Sequence, residues 1–128
     1  MINYLISKIK NSLISKKLFL EIILNNFEFK IVYCLYKFGF INGLLCINKK
    51  NFYIFFKYIN NKNVIRNIIQ ISTNGKRLYL NIYNFNKIKN NYYKKLNGFL
   101  LLSTNKGLLI DELINLKNIG GEVILKIN

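Results

Sequence analysis

The sequence contains no histidine, proline, tryptophan or alanine, and its only acids are Glu21, Glu28, Asp111, Glu112 and Glu122. Without histidine, and with carboxylates this sparse, there is little material for general acid–base work or for a hard-metal centre. An enzymatic reading is therefore disfavoured, and no cofactor, metal or small-molecule substrate is expected. Cys34 and Cys46 stand too far apart for a zinc knuckle or a redox CxxC pair, so both are expected to be buried free thiols. The longest stretch free of charge, residues 38–48, is 11 residues long and contains Gly39 and Gly43. It is too short to span a bilayer as a helix. The first dozen residues show neither an apolar h-region nor an Arg-rich leader, so no targeting segment is expected there.

What the chain does have is positive charge on a foldable body. Its 128 residues carry 20 Lys or Arg against 5 Asp or Glu, a formal net charge of +15, yet 52 % of them are hydrophobic. That is enough apolar material to bury a core in one domain or two small ones. A folded domain this basic implies an anionic partner, either nucleic acid or an anionic membrane surface. Ile, Asn and Lys together make up 62 of the 128 residues. All three are read by codons rich in A and T, so the gene is expected to come from an AT-rich genome, an organelle's above all.

Hydrophobic periodicity organises the chain. Ile2, Leu5, Ile6, Ile9 and Leu13 repeat at helical spacing with Lys8 and Lys10 on the flanks, which predicts an amphipathic first helix. Leu18–Leu24 is predicted to be a strand or extended link. Asn25 or Asn26 then caps a second helix marked by Phe27, Ile31, Leu35 and Phe38 and closed by Gly39. Ile41–Ile47 and Phe52–Tyr58 form a predicted hairpin, and the polar break at 60–63 sets a boundary between subdomains 1–65 and 66–128. Arg66–Ser72 and Lys76–Ile82 are expected as strands around a turn in which Gly75 supplies positive φ. Asn84–Lys95 is polar and basic, with room for one helical turn. Gly98–Leu102 has the length of a buried strand. A helix is predicted after it through Leu109, Leu113 and Leu116, broken by Gly120-Gly121, and Glu122–Ile127 is a closing strand.

Several of these segments can carry chemistry. On this prediction Ser103-Thr104-Asn105-Lys106-Gly107 lies between a strand and a helix, where free amides and the helix dipole favour phosphate. Its hydroxyls suit a ribose 2′-OH or a base edge, and Lys106 adds a full charge. The same residues could instead simply cap the helix and turn the chain. Gly120-Gly121 before Glu122 either admits a ligand's close approach or serves as a helix terminus. Tyr79, beside Arg77, can stack on a base or pack as an ordinary strand aromatic. Lys8, Lys10 and Asn11 offer phosphate contacts or a plain solvated helix face.

Taken in order, these fragments resemble a known family. The run Gly98-Phe99-Leu100-Leu101-Leu102-Ser103-Thr104-Asn105-Lys106-Gly107, followed after a helix by Gly120-Gly121-Glu122-Val123-Ile124, resembles the signature of ribosomal protein number eight of the bacterial-type small subunit. Gly75-Lys76-Arg77-Leu78-Tyr79, Lys8-Ile9-Lys10-Asn11 and Gly39-Phe40-Ile41 resemble further family fragments in the right order. Asn74 stands where the family has proline.

The resemblance implies an α+β protein of two small subdomains: two helices on a three-stranded sheet, then a short, mainly antiparallel sheet with one helix. It implies a structural, non-enzymatic component of the small ribosomal subunit, bound to the central domain of its rRNA during assembly and flanked by other small-subunit proteins. By position it nominates Ser103, Thr104, Asn105, Lys106 and Gly107 as the main RNA contact, with Tyr79, Arg77, Gly120, Gly121, Glu122, Lys8, Lys10 and Asn11 in support. With the codon bias, the expected location is the mitochondrion, then a plastid-type organelle. No homo-oligomer is expected. The competing expectation is a peripheral membrane protein whose basic first helix lies on anionic lipid.

Overall fold

The computed structural model describes residues 2–84 and 98–128, an α+β chain that divides into two compact units, Met1–Arg66 and Asn67–Asn128. In the first unit, helix α1 (Ile2–Ile14) buries Leu5, Ile6, Ile9 and Leu13, the stripe its sequence period predicts. Strand β1 (Phe19–Ile23) follows. Helix α2 (Asn26–Lys37) begins at a capping box: the Asn25 side chain accepts from the Glu28 amide at 2.8 Å, and the Glu28 carboxylate accepts from the Asn25 amide at 3.1 Å. Two orphan donors of the first turn are thereby satisfied. Past its end, Gly39 takes φ +80°, the left-handed conformation expected of it.

Strands β2 (Ile41–Cys46) and β3 (Asn51–Phe56) form the predicted hairpin, and β3 is the middle of an antiparallel sheet in the order β1-β3-β2. One face of that sheet contributes Ile22, Phe52, Ile54 and Phe56 to the core with Ile31, Val32 and Leu35 of α2. The polar break at 60–63 is a small hairpin of its own. β4 (Tyr58–Ile59) pairs with β5 (Lys62–Asn63) across Asn60 and Asn61, whose φ values of 50° and 60° suit asparagine.

In the second unit, β6 (Ile68–Gln70), β7 (Tyr79–Leu80), β8 (Phe99–Thr104), β9 (Gly107–Ile110) and β10 (Gly121–Ile127) form one five-stranded sheet. β10 is its axis, paired with β8 on one side and with β6 and β7 on the other. Helix α3 (Asp111–Lys117) adds Ile114 and Leu113 to a core of Leu80, Leu100, Leu102, Leu109 and Val123.

Several expectations need correction here. The predicted strands at 66–72 and 76–82 shrink to Ile68–Gln70 and Tyr79–Leu80, and each pairs with β10. Only Thr73 and Lys76 bridge directly, around Asn74-Gly75, and Gly75 does not take positive φ. Helix α3 starts at Asp111 and not in the Leu108–Leu109 region, because residues 107–110 are a strand. It is ended by Asn118, which takes the left-handed conformation, φ 51° and ψ 47°, and not by the glycine pair. The closing strand forms as expected, but its burial does not alternate between inside and outside as in a half-buried strand. A bulge at Ile124 shifts the register, and all residues from Val123 to Ile127 are buried. Cys34 is buried as expected, whereas Cys46 is exposed at the end of β2. Of the polar segment 84–95, Asn84 closes a turn of 3-10 helix at Ile82–Asn84, and residues 85–95 lie outside the described residues.

Candidate nucleic-acid interface

The residues nominated around Ser103 are not at a helix N-terminus. They are the end of β8, the turn and the start of β9: Ser103 pairs with Leu108 and Thr104 with Gly107, leaving Asn105 and Lys106 exposed at the tip of a hairpin. The apolar run Leu108–Ile110 continues the sheet, so the free amides and dipole of α3 belong to a different place in the chain. What shapes the loop is Thr104. Its hydroxyl donates to the Gly107 carbonyl at 2.8 Å and accepts from the Lys106 amide at 3.2 Å. Gly107 completes the turn at φ +99°, a conformation that glycine alone adopts readily. The Thr104 proton is thus spent on the turn, while the half-buried Ser103 hydroxyl makes no hydrogen bond among the described residues.

Sheet register brings the distant candidates together. Glu122 on β10 stands opposite Ser103 on β8 and, on its other side, opposite Tyr79 on β7. Residues directly opposed across antiparallel strands present their side chains on one face. A row therefore runs Tyr79, Glu122, Ser103 across three strands and ends beside the hairpin. Tyr79 is 63 % exposed. Arg77 lies 3.9 Å from the Glu122 carboxylate, with its side chain largely in solvent. The row combines an open aromatic face, an acceptor-only carboxylate, a hydroxyl and a guanidinium. This set can stack on a base, accept from base-edge or ribose donors, and neutralise phosphate.

The glycine pair has a steric role. A Cβ on Gly120 would sit 2.7 Å from the Leu80 carbonyl oxygen, and one on Gly121 would run into the Ser103 carbonyl oxygen and the Thr104 methyl. The pair lets β10 run tightly between β7 and β8, which brings Tyr79, Glu122 and Ser103 into one row.

Lys8, Lys10 and Asn11 belong to the first unit. Lys8 and Asn11 share one exposed face of α1 with Tyr4, whose ring centroid lies 5.4 Å from the Lys8 ammonium, while Lys10 flanks the opposite side of the buried stripe. Because Leu5, Ile6, Ile9 and Leu13 are buried within the protein, the apolar face of α1 is not available to lie on lipid. No described helix is long and apolar enough to cross a membrane. Sequence patterning missed one basic feature. Lys76, Arg77 and Lys126 line a cleft of about 330 Å³ floored by Gln70, Ile69 and Ile71. Only the pairing of β10 with β6 brings Lys126 there, and no local signal marks it.

Comparison with known proteins adds an independent line. A family model described as ribosomal protein S8 matches residues 1–128. The chain is 46 % identical over 111 residues to the mitochondrial small ribosomal subunit protein uS8m of Acanthamoeba castellanii, a match covering 85 % of each chain. It is 34 % identical over 122 residues to small ribosomal subunit protein uS8 of Buchnera aphidicola, covering 94 % of this chain and 90 % of the other. With uS8 of Mycoplasmopsis pulmonis the identity is 32 % over 123 residues, covering 94 % and 89 %.

Proposed function

The chain belongs to the ribosomal protein S8 family, and from that premise we propose that this structural, non-enzymatic component of the small ribosomal subunit binds the central domain of small-subunit rRNA directly and steadies it during assembly. The row Tyr79, Glu122, Ser103 beside the Asn105-Lys106 hairpin carries this reading. Lysines spread over a chain of net charge +15 neutralise backbone phosphates and supply most of the affinity. The row supplies selectivity. Tyr79 stacks on an unpaired base, the Ser103 hydroxyl meets a ribose or base edge, and Glu122 accepts from a donor that phosphate lacks. Thr104 and Gly107 hold the hairpin so that Lys106 and Asn105 reach the backbone beside them. Lys8 and Asn11 add contacts from α1, and Lys10 adds charge at its flank. The likeness to uS8m and the AT-biased composition favour the mitochondrial small subunit, with other small-subunit proteins as neighbours.

Filter binding of the chain to a central-domain rRNA transcript, against an unrelated RNA of equal length, tests this. If about six phosphates are engaged, affinity falls roughly a thousandfold between about 50 and 200 mM salt, and the central-domain transcript is preferred throughout. Equal affinity for the two RNAs would remove the selective role of the row, and a flat salt dependence would remove the phosphate contacts.

A further inference from the structure

The sheet of the first unit has an outer face that the RNA-binding reading leaves unused. Phe19, Glu21 and Ile23 of β1, Asn51, Tyr53 and Phe55 of β3, and Gly43 and Leu45 of β2 alternate with the core residues and line that face. Phe19 is 52 % exposed, Ile23 67 % and Leu45 53 %. The Phe19 ring lies edge-on to Tyr53 at 5.5 Å and 6.1 Å from Phe55, so the aromatics form one continuous patch. Gly43 stands directly opposite Phe55, whose ring packs over it: a Cβ there would lie 3.5 Å from the ring.

Charge decides what can sit there. The chain has 20 Lys or Arg, yet none lies on these strand positions, and the one charged side chain in the patch is Glu21. An rRNA backbone would meet no cation on these strand positions, the lysines nearest in sequence, Lys17, Lys57, Lys49 and Lys50, lying beyond their ends, and would be repelled by the carboxylate within the patch. Among the described residues Glu21 has no ion-pair partner, although bases outnumber acids four to one in the sequence. A second copy of the same face would bring another unpaired acid and no base. Exposed apolar patches of this kind mark interaction surfaces, and a lone carboxylate within one selects a cation.

We propose that this face docks another protein of the small subunit, through a segment that lays aliphatic or aromatic side chains over Phe19, Phe55 and Leu45 and sets a Lys or Arg against Glu21. The inference rests on the small-subunit reading. The segment's apolar side chains lie on the Phe19 and Phe55 rings, and its cation is held over the row Glu21, Tyr53, Leu45.

The test uses the full chain with p-benzoylphenylalanine in place of Phe19, expressed in cells whose small subunits can be isolated, with photo-crosslinks mapped by peptide mass spectrometry. Co-sedimentation with small subunits is scored first; a chain that does not co-sediment overturns the small-subunit reading and this proposal together. In particles that hold the chain, a crosslink to a ribosomal-protein segment bearing apolar residues and a Lys or Arg is expected. Glu21→Lys should reduce its yield at least about tenfold while leaving rRNA binding intact. Crosslinks to rRNA, to a second copy or within the same chain, no crosslink at all, or a yield indifferent to Glu21→Lys, each overturn the docking proposal and leave the rRNA reading standing.

Discussion

Ser103 and Glu122 face each other across the β8–β10 ladder, and Glu122 in turn faces Tyr79 across the β10–β7 ladder. Three residues separated by up to 43 positions in the chain thus form one line across the sheet, held by backbone pairing and not by contacts among their side chains. Their geometry should survive substitution of any one of them, so binding and stability can be measured apart.

Ser103→Ala should weaken binding to the central-domain transcript by about 1 kcal/mol, and Tyr79→Ala by about 1–3 kcal/mol if the ring stacks on a base. Replacing both Lys49 and Lys50 by alanine, at the exposed tip of the β2–β3 hairpin, should cost less although it removes two charges. Filter binding at one salt concentration compares them. Equal losses would mean that bulk charge dominates.

Glu122→Gln should leave the melting temperature almost unchanged, because an ion pair at 3.9 Å with a largely solvated Arg77 contributes at most about 1 kcal/mol. Selectivity for the cognate transcript should nevertheless fall. Calorimetry paired with the two-RNA binding assay checks both halves, and a large thermal shift without any change in selectivity would make Glu122 a purely structural residue.

Three glycines should respond differently to alanine. At Gly107 nothing lies within 4 Å of an added Cβ, but φ +99° strains any L residue, at a cost of about 1–2 kcal/mol. At Gly121 the methyl group collides with the Ser103 carbonyl, so β10 must shift and the loss should exceed about 3 kcal/mol. Gly75 has open space and ordinary φ, and should tolerate alanine. Urea unfolding ranks the three.

Burial pushes the Cys34 thiol up to about 11 despite the opposing pull of Lys37, whereas Cys46 is exposed. With iodoacetamide at about pH 8, one label should enter the folded protein, on Cys46, and a second only on unfolding. The sign of the linkage follows. Below the thiol's ordinary value of 9.0 the Cys34 contribution to stability is complete; above it the unfolded chain ionises first, so stability falls as pH rises towards 11. Intact-mass spectra and a pH series of urea midpoints check the two statements.

Much of this was legible in the sequence, and what was not has identifiable causes. The period of Leu5, Ile9 and Leu13 and the pair Asn25 and Glu28 specify helices locally, and α1 and α2 form where those signals are. The span 107–110 misleads because Leu109, Leu113 and Leu116 fall at helical spacing while Leu108-Leu109-Ile110 is equally good strand, and periodicity alone does not decide between them. Here the strand wins by pairing with β8. The glycine pair at 120–121 looks like a helix stop, but its role is visible only once the Leu80 and Ser103 carbonyls are in place. Ser103 and Tyr79 could be nominated one by one, whereas their alignment through Glu122 is a property of register. Nothing local marks Lys126 as part of a basic cleft, since its neighbours there come from β6 and the segment before β7.

The placement of β10 also sets an order of events during synthesis. It follows all four of its sheet-mates in the chain yet supplies the strand with which β6 and β7 pair and which joins them to the β8–β9 hairpin. While a ribosome is still making the polypeptide, β6 and β7 wait without a partner and the Tyr79–Glu122–Ser103 line does not exist. On the proposed function, a nascent chain would therefore offer its lysines to RNA before it could discriminate among RNAs, and competence for selective binding would arrive late, when residues 121–127 emerge.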